Sequence, residues 1–496
     1  MLGCKLVTTT EKKNKPVIAS ARRKWYGLAL LLLVQFMVVL DIAIVNVALP
    51  SIKIDLGFSQ ENLQWVISAY ALFFGGFLLL GGRLADLLGR RRLFLVGIVL
   101  FTTASLVSGF AWGEVPLIGA RAMQGLGAAL ITPAALSILM TTFAEGRERN
   151  AALGAWGGVG AFGAVAGVLL GGVLTELLSW NWIFFVNVPV GVLGLVLAPF
   201  LIDESRDATA ESYDIPGAVL VTSSLVTLVY AITQANHFGW TSATTIGLFA
   251  AAAALMGGFL AWESRVKDPL MPFSIFRLRT LVGANIAGFI LGTALFGMFL
   301  MLTLYMQQVL GYSAMQTGVA YLAVAGSAIV TSGIAAQLVN RVGVKPVLVV
   351  GMTALTGGLV WFTQVSVAGS YWGDLLPGFL MVAVGLGFSF VPISIAALAG
   401  VQPAEAGLAS GLLNTSQQIG GALGIAALSA IATSTTTSDL KDGTAPAFAL
   451  TSGFQAAFIA GAIVGLVGIL VSLFVVRGRD LVEEAPDAVP AFEQAA

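Results

Sequence analysis

Leu40-Asp41-Ile42-Ala43-Ile44-Val45-Asn46-Val47-Ala48-Leu49-Pro50 closes an apolar run that begins near Trp25. At ~20 residues or more, such a run can cross a bilayer as one helix. Asp41 lies inside it, with about two helical turns of mostly apolar residues between the carboxylate and Pro50. A carboxylate near mid-bilayer costs about 2.5 to 3.5 kcal/mol on insertion scales, so its first reading is a functional site. The bland alternative is an Asp at a wet helix end.

Composition gives the class of molecule. Hydrophobic residues make up 57% of the 496 and charged residues 10%, with 59 glycines, which is the profile of an all-α integral membrane protein with no soluble core. The formal net charge is zero, so no nucleic-acid partner is implied. Cys4 is the single cysteine; this excludes an internal disulfide, and no metal site is expected. Phosphate-cradling glycine loops with lysine, His-rich clusters and Ser-His pairings are missing from the sequence, so an enzyme or an ATP-driven pump is not expected.

Apolar runs of spanning length recur at about 25–49, 63–82, 93–112, 115–140, 151–175, 182–202, 215–234, 244–263, 280–307, 316–339, 346–366, 375–399, 407–431 and 453–476. This predicts about 14 transmembrane helices. Lys53, Lys441 and Arg121 apart, every basic residue of the 25 falls in segments that lie on the same side as the N-terminus in this count. By the positive-inside rule that side is cytoplasmic, and both termini are then cytoplasmic. The expected setting is the plasma membrane, and a monomer.

An internal repeat organises these helices. Gly82-Arg83-Leu84-Ala85-Asp86-Leu87-Leu88-Gly89-Arg90-Arg91 links helices two and three, and Ala336-Gln337-Leu338-Val339-Asn340-Arg341-Val342-Gly343-Val344-Lys345 links ten and eleven. Asp86 and Asn340 stand 254 residues apart, and Leu84, Gly89 and Arg91 match Leu338, Gly343 and Lys345 at the same offset. The division that follows is a basic segment 1–24, a six-helix half 25–202, two inserted helices with linkers 203–279, a second six-helix half 280–476, and a polar tail 477–496. Transporters built of two such halves bind cargo between them and expose it alternately to each side.

The same offset carries Asp41 to Leu295 and Arg121 to Leu375, so charge is confined to the first half. Helix one runs outward and helix four inward. Asp41 therefore lies about 10 Å below the outer end of its helix, and Arg121 about 9 Å below its own. Gln124, three residues on, shares the face of Arg121. Burial disfavours a charged Asp41 while a neighbouring Arg121 favours it, so hydration or cargo occupancy could decide whether it holds a proton. The alternative is a static ion pair joining helices one and four. Gln35, Asn46, Gln124, Asn285, Gln307, Asn414 and Gln417 are further intramembrane polar residues. They are candidate cargo contacts, or else hydrogen-bond between helices.

Three of these stretches resemble successive signatures of the major facilitator superfamily: Leu40-Asp41 with Asn46-Val47-Ala48-Leu49-Pro50, the loop Gly82 to Arg92, and Arg121-Ala122-Met123-Gln124-Gly125 with Gly127 and Ala128. They are most similar to its fourteen-helix drug/proton antiporter branch, over Trp25 to about Val476. The resemblance implies the major facilitator fold, proton coupling by Asp41 and Arg121, and a conformational motif at Asp86, Gly89, Arg90 and Arg91. It also implies a contact of Asp86 with the start of helix thirteen, near Pro403 and Glu405, in the outward-open state. On this basis the chain is expected to exchange protons for small amphipathic drugs, with no cofactor beyond the proton gradient; Asp41 as the one acidic residue deep within a helix narrows the cargo to neutral or monocationic. A proton-coupled importer and a non-transporting membrane sensor are the alternatives.

Two stretches depart from the family pattern. Gly167-Val168-Leu169-Leu170-Gly171-Gly172 has Val168 where exporters usually carry proline, and Trp180-Asn181-Trp182 has Asn181 where relatives commonly have arginine. Gly167, Gly171 and Gly172 still read as a helix-packing motif. The direction of transport then rests on the resemblance.

Overall fold

The computed structural model describes residues 21–143, 147–205, 214–267, 269–271, 273–399, 401 and 406–475. No strand occurs among them. In hydrocarbon each backbone N–H and C=O must be satisfied within its own segment, and sequences this apolar meet that condition as helices. Fourteen are long and apolar enough to span a membrane. In the first half they are α1 (Ala21–Leu56), α2 (Trp65–Leu88), α3 (Arg90–Gly109), α4 (Glu114–Thr142), α5 (Arg147–Leu177) and α6 (Asn187–Leu201), the last spanning together with the short helix Trp182–Phe185 before it. The next two are α7 (Ile215–Phe238) and α8 (Ala243–Glu263). The second half holds α9 (Arg279–Leu304), α10 (Ala314–Val342), α11 (Val344–Phe362), α12 (Leu376–Leu398), α13 (Ala406–Lys441) and α14 (Pro446–Phe474).

Polar residues mark the helix ends. Ser242 and Ser313 cap α8 and α10 through their hydroxyls, the latter in a reciprocal box with Gln316. These bonds satisfy backbone N–H groups that a helix start leaves over. The chain begins α1 four residues before the apolar run, because Arg23 and Lys24 find carboxylates at that surface: Arg23 pairs with Asp203 at 2.8 Å and Lys24 with Glu148 at 2.7 Å. Most of the basic segment before Trp25 and the tail after Val475 lie outside the described residues.

The packing pattern repeats eight helices along the chain. α1 packs on α5 and α6, α2 on α4, and α3 on α4 and α6. In the second half α9 packs on α13 and α14, α10 on α12, and α11 on α12 and α14. The linking loops repeat as well. Gly89 and Gly343 both turn the chain with positive φ, +107° and +85°, a conformation that glycine alone adopts freely.

Two seams join the halves, α2 on α13 and α5 on α10, while α7 lies across the first of them and α8 packs on α7. An even number of spans puts both ends of the bundle on one face, called here the terminal face. Toward the opposite face the halves are closed. There Glu176 accepts hydrogen bonds from the Ser313 hydroxyl at 2.5 Å and Met315 N at 3.0 Å, and Gln307 donates to the Val47 carbonyl at 2.9 Å. Toward the terminal face α5 and α10 part: a Cβ built on Gly154, Gly157, Gly158, Gly326 or Gly333 would meet nothing within 4 Å. These glycines of α5 and α10 therefore face open space on the terminal side, while α2 and α13 stay in contact there, a Cβ on Gly411 standing 2.9 Å from Leu79.

Candidate functional site

Asp41 and Arg121 meet in the middle of the first half, 0% and 1% exposed, with Nη1 of the guanidinium 2.5 Å from Oδ2 of the carboxylate. Helix geometry brings this about: α1 and α4 run in opposite directions, and each residue lies a similar number of turns below the face opposite the terminal one. Arg121 also donates from Nε to the Val66 carbonyl at 2.9 Å and from Nη1 to Gln124 Oε1 at 2.8 Å. Its guanidinium carbon stands 4.5 Å from the centroid of the Tyr70 ring and 5.7 Å from that of Phe184. Desolvated cation–π contacts of this kind contribute about 2 kcal/mol.

The other carboxylate oxygen has two neutral donors. Asp41 Oδ1 accepts from Gln124 Nε2 at 3.0 Å and from Asn187 Nδ2 at 2.8 Å. Both amides also reach Ser105 Oγ, at 3.0 Å each, and Ser105 in turn donates to the Phe184 carbonyl at 2.9 Å. One carboxylate thus ties together α1, α4 and α6, with α3 supplying Ser105. The donors aimed at it are one guanidinium and two side-chain amides. Ser105 and Asn187 were not singled out from the sequence, although each is a polar residue within an apolar run; Asn187 interrupts 182–202 as Asp41 interrupts 25–49.

The residues expected to line a cargo cavity have varied fates. Gln124 belongs to the ion-pair network, and Gln307 to the closed seam. Asn285 is buried, donates to the Leu281 carbonyl at 2.9 Å and accepts from Ser416 at 2.9 Å. Asn414 is exposed and donates to its own helix at Ser410, 3.0 Å away. Gln35 is buried and accepts from Thr132 at a long 3.4 Å. Asn46 donates to the Ile42 carbonyl at 3.0 Å, but its Oδ1 and the Nε2 of Gln417 are buried with no partner among the described residues.

The glycine motif on α5 makes two interfaces. An added Cβ would stand 2.9 Å from the Leu40 carbonyl oxygen at Gly167 and 2.7 Å from that of Ile44 at Gly171. At Gly172 it would meet Ala314 O and Met315 Cα, both at 2.8 Å. The first two glycines therefore seat α5 on the stretch of α1 that carries Asp41, and the third seats it on α10. Asn181, in the place of the common arginine, donates to the Gly109 carbonyl at 2.8 Å.

In the α2–α3 loop the Asp86 side chain, and Pro403 and Glu405 at the expected contact, lie outside the described residues. The arginines do more than orient the chain. α3 begins with Arg90, Arg91 and Arg92, an unfavourable charge for a helix N-terminus. Glu204, just past α6, offsets it by accepting from Arg91 N at 3.1 Å and Arg92 N at 3.2 Å, with both guanidinium Nε atoms at 3.8 Å. Arg90 N donates to the Ser205 carbonyl at 2.9 Å, and Arg91 Nη1 to that of Ile202 at 3.1 Å.

The sequence profile of the Major Facilitator Superfamily matches residues 31–425. The chain is 42% identical over 429 residues to the puromycin resistance protein pur8 of Streptomyces alboniger, covering 86% of this chain and 85% of that one. It is 38% identical over 398 residues to the cephamycin export protein CmcT of Amycolatopsis lactamdurans, covering 79% and 82%. The multidrug resistance protein Stp of Mycobacterium tuberculosis is 33% identical over 396 residues, with 80% and 73% covered. Among solved structures, a bacterial homologue of the human lysosomal transporter Spinster, inward-facing and unoccupied, superposes with a TM-score of 0.65 at 16% identity, over 93% of this chain and 99% of that one.

Proposed function

The chain belongs to the Major Facilitator Superfamily, and from that premise we propose that it exports small amphipathic molecules, neutral or monocationic, in exchange for protons carried by Asp41. The observation behind the coupling is the buried network of Asp41, Arg121, Gln124, Asn187 and Ser105. It places one titratable group at the junction of α1, α4 and α6, with no counterpart in the second half. Behind a small antibiotic as cargo stand the relatives, named for puromycin, cephamycin and multidrug resistance or export; the charge limit rests on the single buried carboxylate.

The cycle follows from electrostatics. With Asp41 charged, the bundle opens on the terminal face and takes up cargo. We assign that face to the cytoplasm. Among the described residues Lys53 and Lys441 mark the other face, while Arg23, Lys24, Arg83, Arg90 to Arg92, Arg149, Arg265, Lys267, Arg277, Arg279, Arg341 and Lys345 gather on this one, the asymmetry of inner loops in a plasma-membrane protein with both termini inside. Closing on the terminal side and opening on the other exposes Asp41 to a more acidic phase. A proton entering there neutralises the anion that Arg121, Gln124 and Asn187 hold, and cargo leaves outward. Return of the loaded carrier releases the proton inward. The chain works as a single copy, without a cofactor.

Inverted membrane vesicles test this directly. Acidifying the lumen should drive accumulation of a labelled cargo such as puromycin, and an uncoupler should abolish it. Accumulation in right-side-out vesicles only would establish the importer, and none in either orientation the sensor.

A further inference from the structure

The inserted pair α7–α8 carries titratable chemistry that the transport cycle leaves unused. Asp214 stands just before α7 and Glu263 ends α8, 2% and 3% exposed. Asp214 Oδ1 accepts from Gly217 N at 2.8 Å and from the Trp262 indole at 2.7 Å. Glu263 Oε2 accepts from Met271 N, 3.4 Å away on the linker to α9. The two remaining oxygens, Asp214 Oδ2 and Glu263 Oε1, are buried with no partner among the described residues. They meet over Gly217: a Cβ there would overlap Asp214 Oδ2 and stand 3.1 Å from Glu263 Oε1.

Neither orphaned oxygen has a cation within hydrogen-bond reach among the described residues; burial acts on Glu263 first, and the charge of Asp214 adds to it. Arg265 and Lys267 follow on exposed linker positions, and Arg277 and Arg279 lie further along. Arg83, on α2, is half-buried; α7 bears only His237, at its far end, and the side chains of Asp86 and Asp268 lie outside the described residues. Two ionised carboxylates here would repel across a desolvated gap with orphaned lone pairs. A single proton converts one into a donor for the other. The N-terminus of α7 favours the anion on Asp214, which leaves the proton on Glu263 Oε1, shared with Asp214 Oδ2.

We propose that Asp214 and Glu263 form a second proton-binding site, in which two buried carboxyl groups share one proton and so fasten α7 to the linker leading into the second half. Its placement gives it consequence. α7 spans the α2–α13 seam, with Thr233 accepting from Gln64 on the α2 side at 2.9 Å and Asn236 donating to the Ala430 carbonyl of α13 at 2.7 Å. At the terminal end Leu80 of α2, Ala218 of α7 and Leu270 of the linker pack in one apolar cluster. Loss of the shared proton sets two charges against each other beside that cluster, on the side where α5 and α10 part. The site stands whether or not the chain exports.

Infrared spectroscopy of the full-length chain in lipid nanodiscs tests it. At neutral pH a protonated-carboxyl carbonyl band should be present, persist in Asp41→Asn, and be lost in Glu263→Gln. The melting temperature of the unmutated chain should fall from mildly acidic to neutral pH, because the folded chain holds a proton there that the unfolded chain has lost, and should level off at alkaline pH. That of Glu263→Gln should hold over the same range, because its amide remains a donor to Asp214. Should Glu263→Gln fail to fold, Asp214→Asn, which removes the repulsion but leaves Glu263 buried, must show a shallower fall than the unmutated chain. A band untouched by Glu263→Gln, or melting profiles that fall in parallel, would overturn the proposal whatever the outcome of the transport assays.

Discussion

Replacing Asp41 by Asn should uncouple cargo from protons while leaving cargo exchange intact. One carrier group per chain implies one proton per cycle, and one pH unit is worth ~1.36 kcal/mol, which is about tenfold in a concentration ratio. In proteoliposomes with the potential clamped at zero, the unmutated chain should therefore hold a monocationic cargo about tenfold concentrated per pH unit. The Asn variant should hold none. Its fold is expected to weaken, since breaking a buried pair from one side costs about 3 to 5 kcal/mol. Arg121 would keep its bonds to Val66 O and Gln124 Oε1 and its place against Tyr70 and Phe184, so the loss should sit near the lower bound, ~3 kcal/mol. Removing both charges, with Asp41→Asn and Arg121→Gln together, should recover part of it. Cargo–cargo exchange measured without a gradient shows that the site is intact. An Asn variant still reaching tenfold per pH unit would refute the assignment of Asp41 as carrier.

The remaining predictions concern the partners of Asp41, the glycine seam and the cargo. Arg121→Lys should slow proton-driven efflux roughly tenfold or more, because a lysine cannot reach Asp41, Gln124 and Val66 in one planar fork and a hydrogen bond to a charged group contributes about 1.5 to 3 kcal/mol; an unchanged rate would make the guanidinium dispensable. Gly171→Val should lower stability by about 1 to 3 kcal/mol, the usual cost of overpacking, as its Cβ would press on the Ile44 carbonyl, whereas Gly157→Ala should melt no lower than the unmutated chain. Dications should be poor cargo: expelling two charges for one proton works against an inside-negative potential by about 2.3 kcal/mol per 100 mV. Imposing that potential should leave monocation efflux nearly unchanged and suppress dication efflux.

The number of helices, their repeat and the Asp41–Arg121 meeting were legible because each leaves a mark along the sequence: an apolar run, a fixed offset, a charge where none is affordable. Gln124 could be placed too, since i and i+3 share a helix face. What could not be read were partners set by tertiary packing. Asn187 and Ser105 are ordinary polar residues of α6 and α3 until the bundle folds them against Asp41. Glu204 looks like linker charge until it caps the arginine-rich start of α3. Glu263 at a helix end and Asp214 in a linker give no sign along the sequence of the burial they have in the folded chain. Position along a helix gives depth in the membrane; it does not give burial within the bundle.

The same limit bears on Val168, where exporters usually have proline. In the sequence its substitution removes the expected kink. In the folded chain the Val168 carbonyl oxygen lies 2.8 Å from where a Cβ on Gly318 of α10 would stand, so the seam closes on a bare backbone surface instead. Gly167 and Gly171 hold α5 against Leu40 O and Ile44 O on α1, and Gly172, one residue on, holds it against Ala314. α5 thus touches the Asp41 turn with one face and the second half with another. Contacts with no side chain between the backbones have little slack, and α1 cannot tilt far without carrying α5 along. In the proposed cycle, neutralising Asp41 would weaken the ties of α1 to α4 and α6 while leaving its seat on α5.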